Sequence, residues 1–164
     1  MNISRGFTLV EVMVAVSLIA ILAAVGAPLT AQWTTSAEQT SAKGVMAQAV
    51  GRAKALAMRN QFGINEDKSA AAICLSNTNQ VQVLTASSTI TSVNCGTGGG
   101  VSTWQSTMGS SLSFKVAGST LSCLCFDTKG KIINTSASSC NACAGSTDIT
   151  ISANGVSDDT FTLY

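Results

Sequence analysis

A short polar segment, residues 1–6, precedes an unbroken apolar run from Phe7 to Leu29 that contains a single charged residue, Glu11. The run is 23 residues long, and a helix of that length crosses the roughly 30 Å hydrocarbon core of a bilayer. A carboxylate inside such a helix is costly, so its presence marks a functional position. The pattern therefore predicts a membrane-spanning helix over residues 7–29 in which Glu11 has a specific role.

Apolar residues continue beyond Pro28 at spacings of three and four, which is the period of an amphipathic helix. This stripe consists of Val45, Met46, Ala49, Val50, Ala53, Leu56 and Ala57. The pattern predicts one long helix from Phe7 to about Asn60, bent near Pro28 and about 80 Å long at 1.5 Å per residue. We expect residues 30–60 to be its amphipathic second half, which packs the stripe on a sheet.

After the helix, short apolar or alternating runs separated by turn residues predict antiparallel strands. The predicted strands are residues 71–75, 80–84, 111–116, 121–126, 131–134, 148–152 and 160–164. Turn residues at 76–79, 127–130 and 153–155 predict hairpins. Glycines in 95–102 predict a flexible loop, which Trp104 is expected to anchor on the sheet. We therefore expect an α+β fold, in which a long N-terminal α-helix packs on an antiparallel β-sheet.

Composition and charge narrow the classes of function. Charged residues make up only 10% of the chain, and the mean hydropathy is +0.35. The 9 basic and 8 acidic side chains nearly balance, so the chain as a whole does not attract nucleic acid electrostatically. Histidine, the commonest general base and metal ligand, is absent. No phosphate-binding loop or catalytic constellation is recognisable. We predict a non-enzymatic, extracytoplasmic structural protein without a cofactor or metal.

The sequence GFTLVE at residues 6–11 resembles the processing site of type IV prepilins and type II secretion pseudopilins. The short leader and the proline at position 28 resemble that family as well. The resemblance implies that residues 1–6 are a leader peptide, which a prepilin peptidase removes by cutting between Gly6 and Phe7. It also implies N-methylation of Phe7, and a pilin fold whose disulfide-containing β head spans residues 61–164.

Glu11 is expected, on this resemblance, to pair with the positive amine of Phe7 on an adjacent subunit during assembly. Such a pair in a low-dielectric core is strong when complete and unfavourable when one partner is missing, so it would check the register of a subunit entering a filament. The alternative is that Glu11 snorkels to the membrane interface. Pro28 removes one helical N–H and is expected either to let the helix bend or melt in a filament or to make a simple kink.

The resemblance implies a minor type IV pilin, assembled into or at the tip of a type IV pilus, with motility, adhesion or DNA uptake as downstream roles. The alternatives are a type II secretion pseudopilin and a DNA-binding competence pilin. The Ala/Arg-rich helix end at 49–60 and the hairpin at 126–130 resemble minor pilins of the GspH/FimT type. DNA-binding members of that group carry a basic segment after the last strand, which this sequence lacks at Tyr164, so DNA is a weak expectation.

Partners and location follow from the same resemblance. The implied partners are a prepilin peptidase, major and other minor pilins, an inner-membrane assembly platform and inner-membrane lipid. Arg5 before the apolar run and Lys43 far beyond it favour a cytoplasmic N-terminus. We therefore expect a single-pass inner-membrane protein with a periplasmic head, and an extracellular pilus after assembly. A cleaved ordinary secretory signal and an unprocessed single-pass anchor are the alternatives.

The chain has six cysteines, which are Cys74, Cys95, Cys123, Cys125, Cys140 and Cys143. An even number in an extracytoplasmic domain predicts disulfides. We expect Cys74–Cys95 to close one loop and the other four to pair among themselves, with Cys123 and Cys125 on one face of a strand. A four-thiolate zinc site is the first alternative, although an oxidising compartment disfavours it. Redox catalysis by Cys140 and Cys143 is the second, and no neighbouring basic group supports it.

A few basic residues are candidates for surface contacts. Lys129 and Lys131 flank a predicted hairpin and, with Lys115, would form a small basic patch for DNA, an anionic surface or a partner pilin. Arg52 and Arg59, seven residues apart, share a helical face and would meet neighbouring subunits. In both cases the alternative is an ordinary solvated surface.

Overall fold

The chain begins with one long helix. The computed structural model describes residues 6–133 and 148–163, except for the side chains of residues 27–29. In it, helix α1 extends over Leu9–Arg59. The secondary structure stays helical at Pro28, and the bend expected there stays a prediction. The helix ends at Asn60, whose positive φ of 38° and side-chain hydrogen bonds to the backbone of Ile64 form a left-handed cap.

Nine strands follow the helix in the described residues. They are β1 (Ala71–Leu75), β2 (Gln80–Thr85), β3 (Val101–Thr107), β4 (Leu112–Val116), β5 (Ser119–Thr120), β6 (Cys123–Phe126), β7 (Ile132–Ile133), β8 (Asp148–Ala153) and β9 (Val156–Thr162). Sheet A has the order β3-β2-β1-β6-β7, and sheet B has the order β5-β4-β8-β9. Every pairing is antiparallel. The predicted α+β fold is therefore confirmed, with the expected sheet divided into two.

Contacts divide the chain into two compact units, Met1–Thr34 and Thr35–Tyr164. In the first unit, every side chain whose exposure is described is exposed to solvent. The second unit, which we call the head, contains both sheets and the hydrophobic core. The head thus buries its own apolar surface, whereas the N-terminal unit does not.

Within the head, α1 presents a stripe of mostly small residues to the core. The buried members are Ala42, Met46, Ala49, Val50, Ala53 and Ala57, and Val45 and Leu56 are partly buried. The stripe matches the predicted one, with Ala42 as an addition one turn earlier. Alanine side chains let the helix backbone approach the sheet closely, and Met46, at 0% exposure, is the largest buried side chain of the stripe.

Sheet A has two buried faces. Ile73 lies opposite both Val83 and Leu124, and Trp104 lies opposite Val83. Arg52 of α1 stacks on Trp104 with its guanidinium carbon 5.0 Å from the ring centroid, so this row faces the helix. Because side chains alternate along a strand, the neighbours of these residues point to the other face.

Sheet B follows a simple alternation, since Leu112, Phe114 and Val116 of β4 are buried while the residues between them are exposed. The register of β8 and β9 shifts between Ile151 and Ala153. Buried Gln39 of α1 donates from Nε2 to the carbonyls of Ile151 and Ser157, at 2.9 and 3.1 Å. An amide side chain from the helix therefore satisfies carbonyls at the bulge.

The expected loop at 95–102 is present in part. Residues 95–100 form turns and bends, whereas residues 101 and 102 begin strand β3. Within the loop, the backbone N of Gly99 donates to the Gly96 carbonyl, and the Gly99 carbonyl accepts from Asn94 N. A Cβ at Gly100 would lie 2.8 Å from the Cβ of Leu84, so this glycine is required by close packing. Trp104 lies in strand β3 and is not a loop residue.

Candidate functional site

The N-terminus of α1 is built by a local capping arrangement. Thr8 precedes the first helical residue, Leu9, and its Oγ1 accepts a hydrogen bond of 3.3 Å from the backbone N of Glu11. The sequence Thr-x-x-Glu is that of a capping box, and an acidic residue in the first turn is favoured by the helix dipole. The sequence analysis missed Thr8, although the Thr8 and Glu11 spacing carried the signal.

Gly6 and Phe7 lie just before this cap. A Cβ built on Gly6 would meet no atom within 4 Å, so nothing in the described fold requires glycine at this position. Phe7 is 83% exposed and makes no core contact. Both residues are therefore accessible at the point where the expected cut lies.

The hydropathy and the hydrogen bonds of the first unit are those of a helix in apolar surroundings. The most apolar part of α1 has a mean hydropathy of 2.5, is not buried in the head, and is long and apolar enough to cross a membrane. Its hydroxyl groups turn inward on the helix: Ser17 Oγ donates to the Met13 carbonyl at 2.8 Å, and Thr30 Oγ1 donates to the Gly26 carbonyl at 2.9 Å. Backbone-bonded hydroxyls are tolerated in lipid. Glu11 is the only ionisable side chain between Arg5 and Glu38.

The N-terminal segment matches a known family motif. Residues 1–27 match the family model described as the prokaryotic N-terminal methylation motif. The chain carries the class III prepilin leader of type IV pilins. No curated protein and no solved structure matches the chain.

The leader supports a type IV pilin-like precursor that is processed by a prepilin peptidase and assembles with other pilins. It points to a structural subunit and not to an enzyme. Together with the apolar helix, it fits a subunit anchored in the inner membrane. The long N-terminal helix followed by antiparallel sheets is a pilin-like architecture.

Three described cysteines, Cys74, Cys123 and Cys125, lie on the face of sheet A that points away from α1. Cys74 and Cys95 form the expected disulfide, which ties the connection between β2 and β3 to β1. Cys123 lies opposite Cys74 in the β1–β6 pairing, and Cys125 lies two residues further along β6, so both share that face. Both are buried, at 1% exposure.

The remaining cysteine predictions have different outcomes. Cys125 is disulfide-bonded, in line with the expected disulfides, and the four-thiolate zinc alternative stays untested because it also needs Cys140 and Cys143. Cys140 and Cys143 lie outside the described residues, as does the redox alternative that they would form. No cluster of three or more metal-ligating side chains occurs among residues 6–133 and 148–163.

The basic residues of the expected patch lie on different sheets. Lys129 and Lys131 flank the turn between β6 and β7 of sheet A, whereas Lys115 lies on β4 of sheet B. Lys129 Nζ pairs with Glu66 at 2.8 Å, and this hydrogen bond and charge raise the pKa of Lys129 above its usual value. Asp127 Oδ1 accepts from the backbone N of Lys129 and of Lys131. The geometry is that of a solvated turn held by its own acidic residues.

The arginines also differ from each other. Arg52 covers Trp104 in a shallow cavity of about 300 Å³ that is also lined by Ala55, Leu56 and Thr103. Arg59 is the last residue of α1, where a positive charge is favoured by the helix dipole. Arg52 therefore has a packing role within the head, and contact of either arginine with a neighbouring subunit stays a prediction.

Proposed function

We propose that the chain is a minor type IV pilin, a structural subunit that the inner membrane holds by its N-terminal helix until it is assembled into or at the tip of a pilus. The observation that carries this proposal is the match of residues 1–27 to the prokaryotic N-terminal methylation motif, which includes the start of an exposed apolar helix. On this proposal, residues 1–6 are the leader and 7–29 the span or filament core. Residues 30–60 form the amphipathic helix of the head and 61–164 its β part, a division that starts the head five residues before the compact unit Thr35–Tyr164.

Processing between Gly6 and Phe7 accounts for a glycine that the fold does not need. A Cβ at Gly6 would meet no atom of the described residues within 4 Å, so the described fold would accept a larger side chain there. A narrow peptidase subsite would restrict this position to glycine. Cleavage there leaves Phe7 as the new N-terminus, four residues before Glu11.

Glu11 is then the residue that selects assembly. A helix that leaves lipid for a bundle of similar helices exchanges one apolar environment for another. The carboxylate is stabilised only where a cation meets it, and a buried unpaired charge is strongly unfavourable. The amine of Phe7 on an adjacent subunit is the matching cation, and Pro28 lies in the part of the helix where a filament would accommodate a bend.

The first experiment is mass spectrometry on filaments sheared from cells, searching for a peptide that starts at methylated Phe7. The expected result is this peptide at low stoichiometry beside a more abundant pilin. If the processed peptide is found only in membranes, the subunit belongs to a secretion system or primes assembly. If Met1 is still attached, processing at Gly6 is refuted.

Variants separate the two steps of the proposal. Gly6→Val is expected to leave an uncut precursor, whereas Glu11→Gln is expected to be cut normally but not incorporated. Thr8→Val is the matched control for Glu11→Gln, because it removes the helix cap that both residues form and keeps the carboxylate. If Thr8→Val blocks incorporation as strongly as Glu11→Gln, the defect lies in the helix start and charge pairing is refuted.

A further inference from the structure

Trp33 is the largest exposed side chain described in the N-terminal unit. It is 83% exposed, and its neighbours Gln32 and Thr34 are polar. Exposed tryptophan is unusual in soluble protein surfaces, because the ring buries a large apolar area when a partner is present. The Trp33 ring is therefore available to a partner outside the helix.

The position of Trp33 along the helix identifies that partner. The apolar run ends at Leu29, and its 23 residues extend over about 34 Å at 1.5 Å per residue. Trp33 follows four residues later, about 6 Å beyond the run. A hydrocarbon core of about 30 Å lies within a bilayer of about 40–45 Å, so this offset places the ring in the headgroup layer.

No other residue is able to take this role on the outer side of the membrane. Between Leu29 and Lys43 the sequence contains no lysine, arginine or tyrosine, and Trp33 is its single aromatic residue. Tryptophan, tyrosine and the long basic side chains are the groups that fix the depth of a helix at the membrane–water interface. Depth on this side would thus depend on one side chain.

We propose that Trp33 is an interfacial anchor, which binds the headgroup layer of the inner membrane and sets the depth of the helix before assembly. The inference rests on the membrane insertion that is part of the proposed function. Its ring would lie among lipid headgroups with the indole N–H toward water.

The test is fluorescence of the full chain reconstituted in phosphatidylcholine vesicles. A Trp104→Phe variant leaves Trp33 as the sole tryptophan, since the chain has 2. The expected result is blue-shifted emission that lipids brominated near the headgroup quench more strongly than lipids brominated near the methyl end. If Trp104→Phe does not fold, the difference between the unaltered chain and a Trp33→Phe variant gives the same signal.

A matched control moves the reporter one turn outward. The combination Trp33→Phe, Ala37→Trp and Trp104→Phe places tryptophan at another exposed position of α1, where we expect weaker lipid quenching and stronger quenching by aqueous acrylamide. If the chain floats with the vesicles but Trp33 is quenched mainly by acrylamide, or mainly by deep bromines, the anchor is refuted and membrane insertion stands. If the chain does not float with vesicles, insertion itself is refuted.

Discussion

The Cys74–Cys95 disulfide offers a quantitative test of what stabilises the head. The bond closes a loop with a sequence separation of 21 residues, which corresponds to about 3 kcal/mol of lost chain entropy in the unfolded state. We therefore expect the double variant Cys74→Ala, Cys95→Ala to lower the free energy of unfolding by about 3 kcal/mol. Genetic removal is preferable to reductant, because Cys125 is also disulfide-bonded and would be reduced as well.

The same connection has contacts that do not depend on the disulfide. Val93 is 1% exposed, and its backbone N donates to the Ser69 carbonyl at 2.9 Å. These contacts exist in the native state of the variant too, so the loss is expected to come from the unfolded state. The predicted consequence is a lower denaturation midpoint with a larger m-value, since the open chain exposes more surface.

The assay is urea unfolding of the full chain in mild detergent, followed by near-ultraviolet circular dichroism of the head. Ser88→Ala, an exposed substitution in the same connection, is the control and is expected to change stability by less than about 0.5 kcal/mol. A loss below about 1 kcal/mol in the double variant would refute the entropic account. It would mean that packing around Val93 already restricts the loop.

Three further predictions use the same measurement. Met46→Ala should lower the free energy of unfolding by about 2–5 kcal/mol, because Met46 is 0% exposed among smaller residues. A smaller loss would show that α1 moves into the space that the methionine side chain leaves. Gln39→Ala should lower the same free energy by about 1–3 kcal/mol, because the Gln39 amide donates to two carbonyls of sheet B. Unchanged stability would mean that water donates to these carbonyls in the variant. Lys129→Gln should reduce stability slightly at neutral pH. Because Glu66 raises the pKa of Lys129, the difference should disappear as pH rises through that pKa, and a difference that persists would refute the ion pair.

The long helix and the first hairpin were predictable from local pattern. The apolar run has the length of a membrane-spanning helix and the stripe around Met46 has helical period. The apolar run at β1 and the alternating run at β2 flank a turn at Asn79, whose φ is 53°. In each case the residues that decide the structure are close in sequence. The prepilin leader was predictable for the same reason, since its whole signal lies within a few residues of Gly6.

Strand β3 was not predictable in this way. Its sequence, Val101–Thr107, is mostly polar and exposed, so no apolar alternation marks it. It is a strand because β2 pairs with it, with a register shift between Val83 and Leu84. The division into two sheets likewise depends on long-range pairing of β4 with β8, which no local pattern encodes.

The two units of the chain differ in where their apolar side chains are buried. The head is stabilised by its own core, whose residues extend from Ala42 to Leu163. The N-terminal unit buries no described side chain and must be satisfied by lipid or by other helices. Because lipid tails are as apolar as the side chains that would replace them, moving between these two environments changes little apolar burial. The equilibrium between the lipid-embedded and the assembled helix must then depend on the few groups that are not apolar. In residues 6–37 the only ionisable side chain is Glu11.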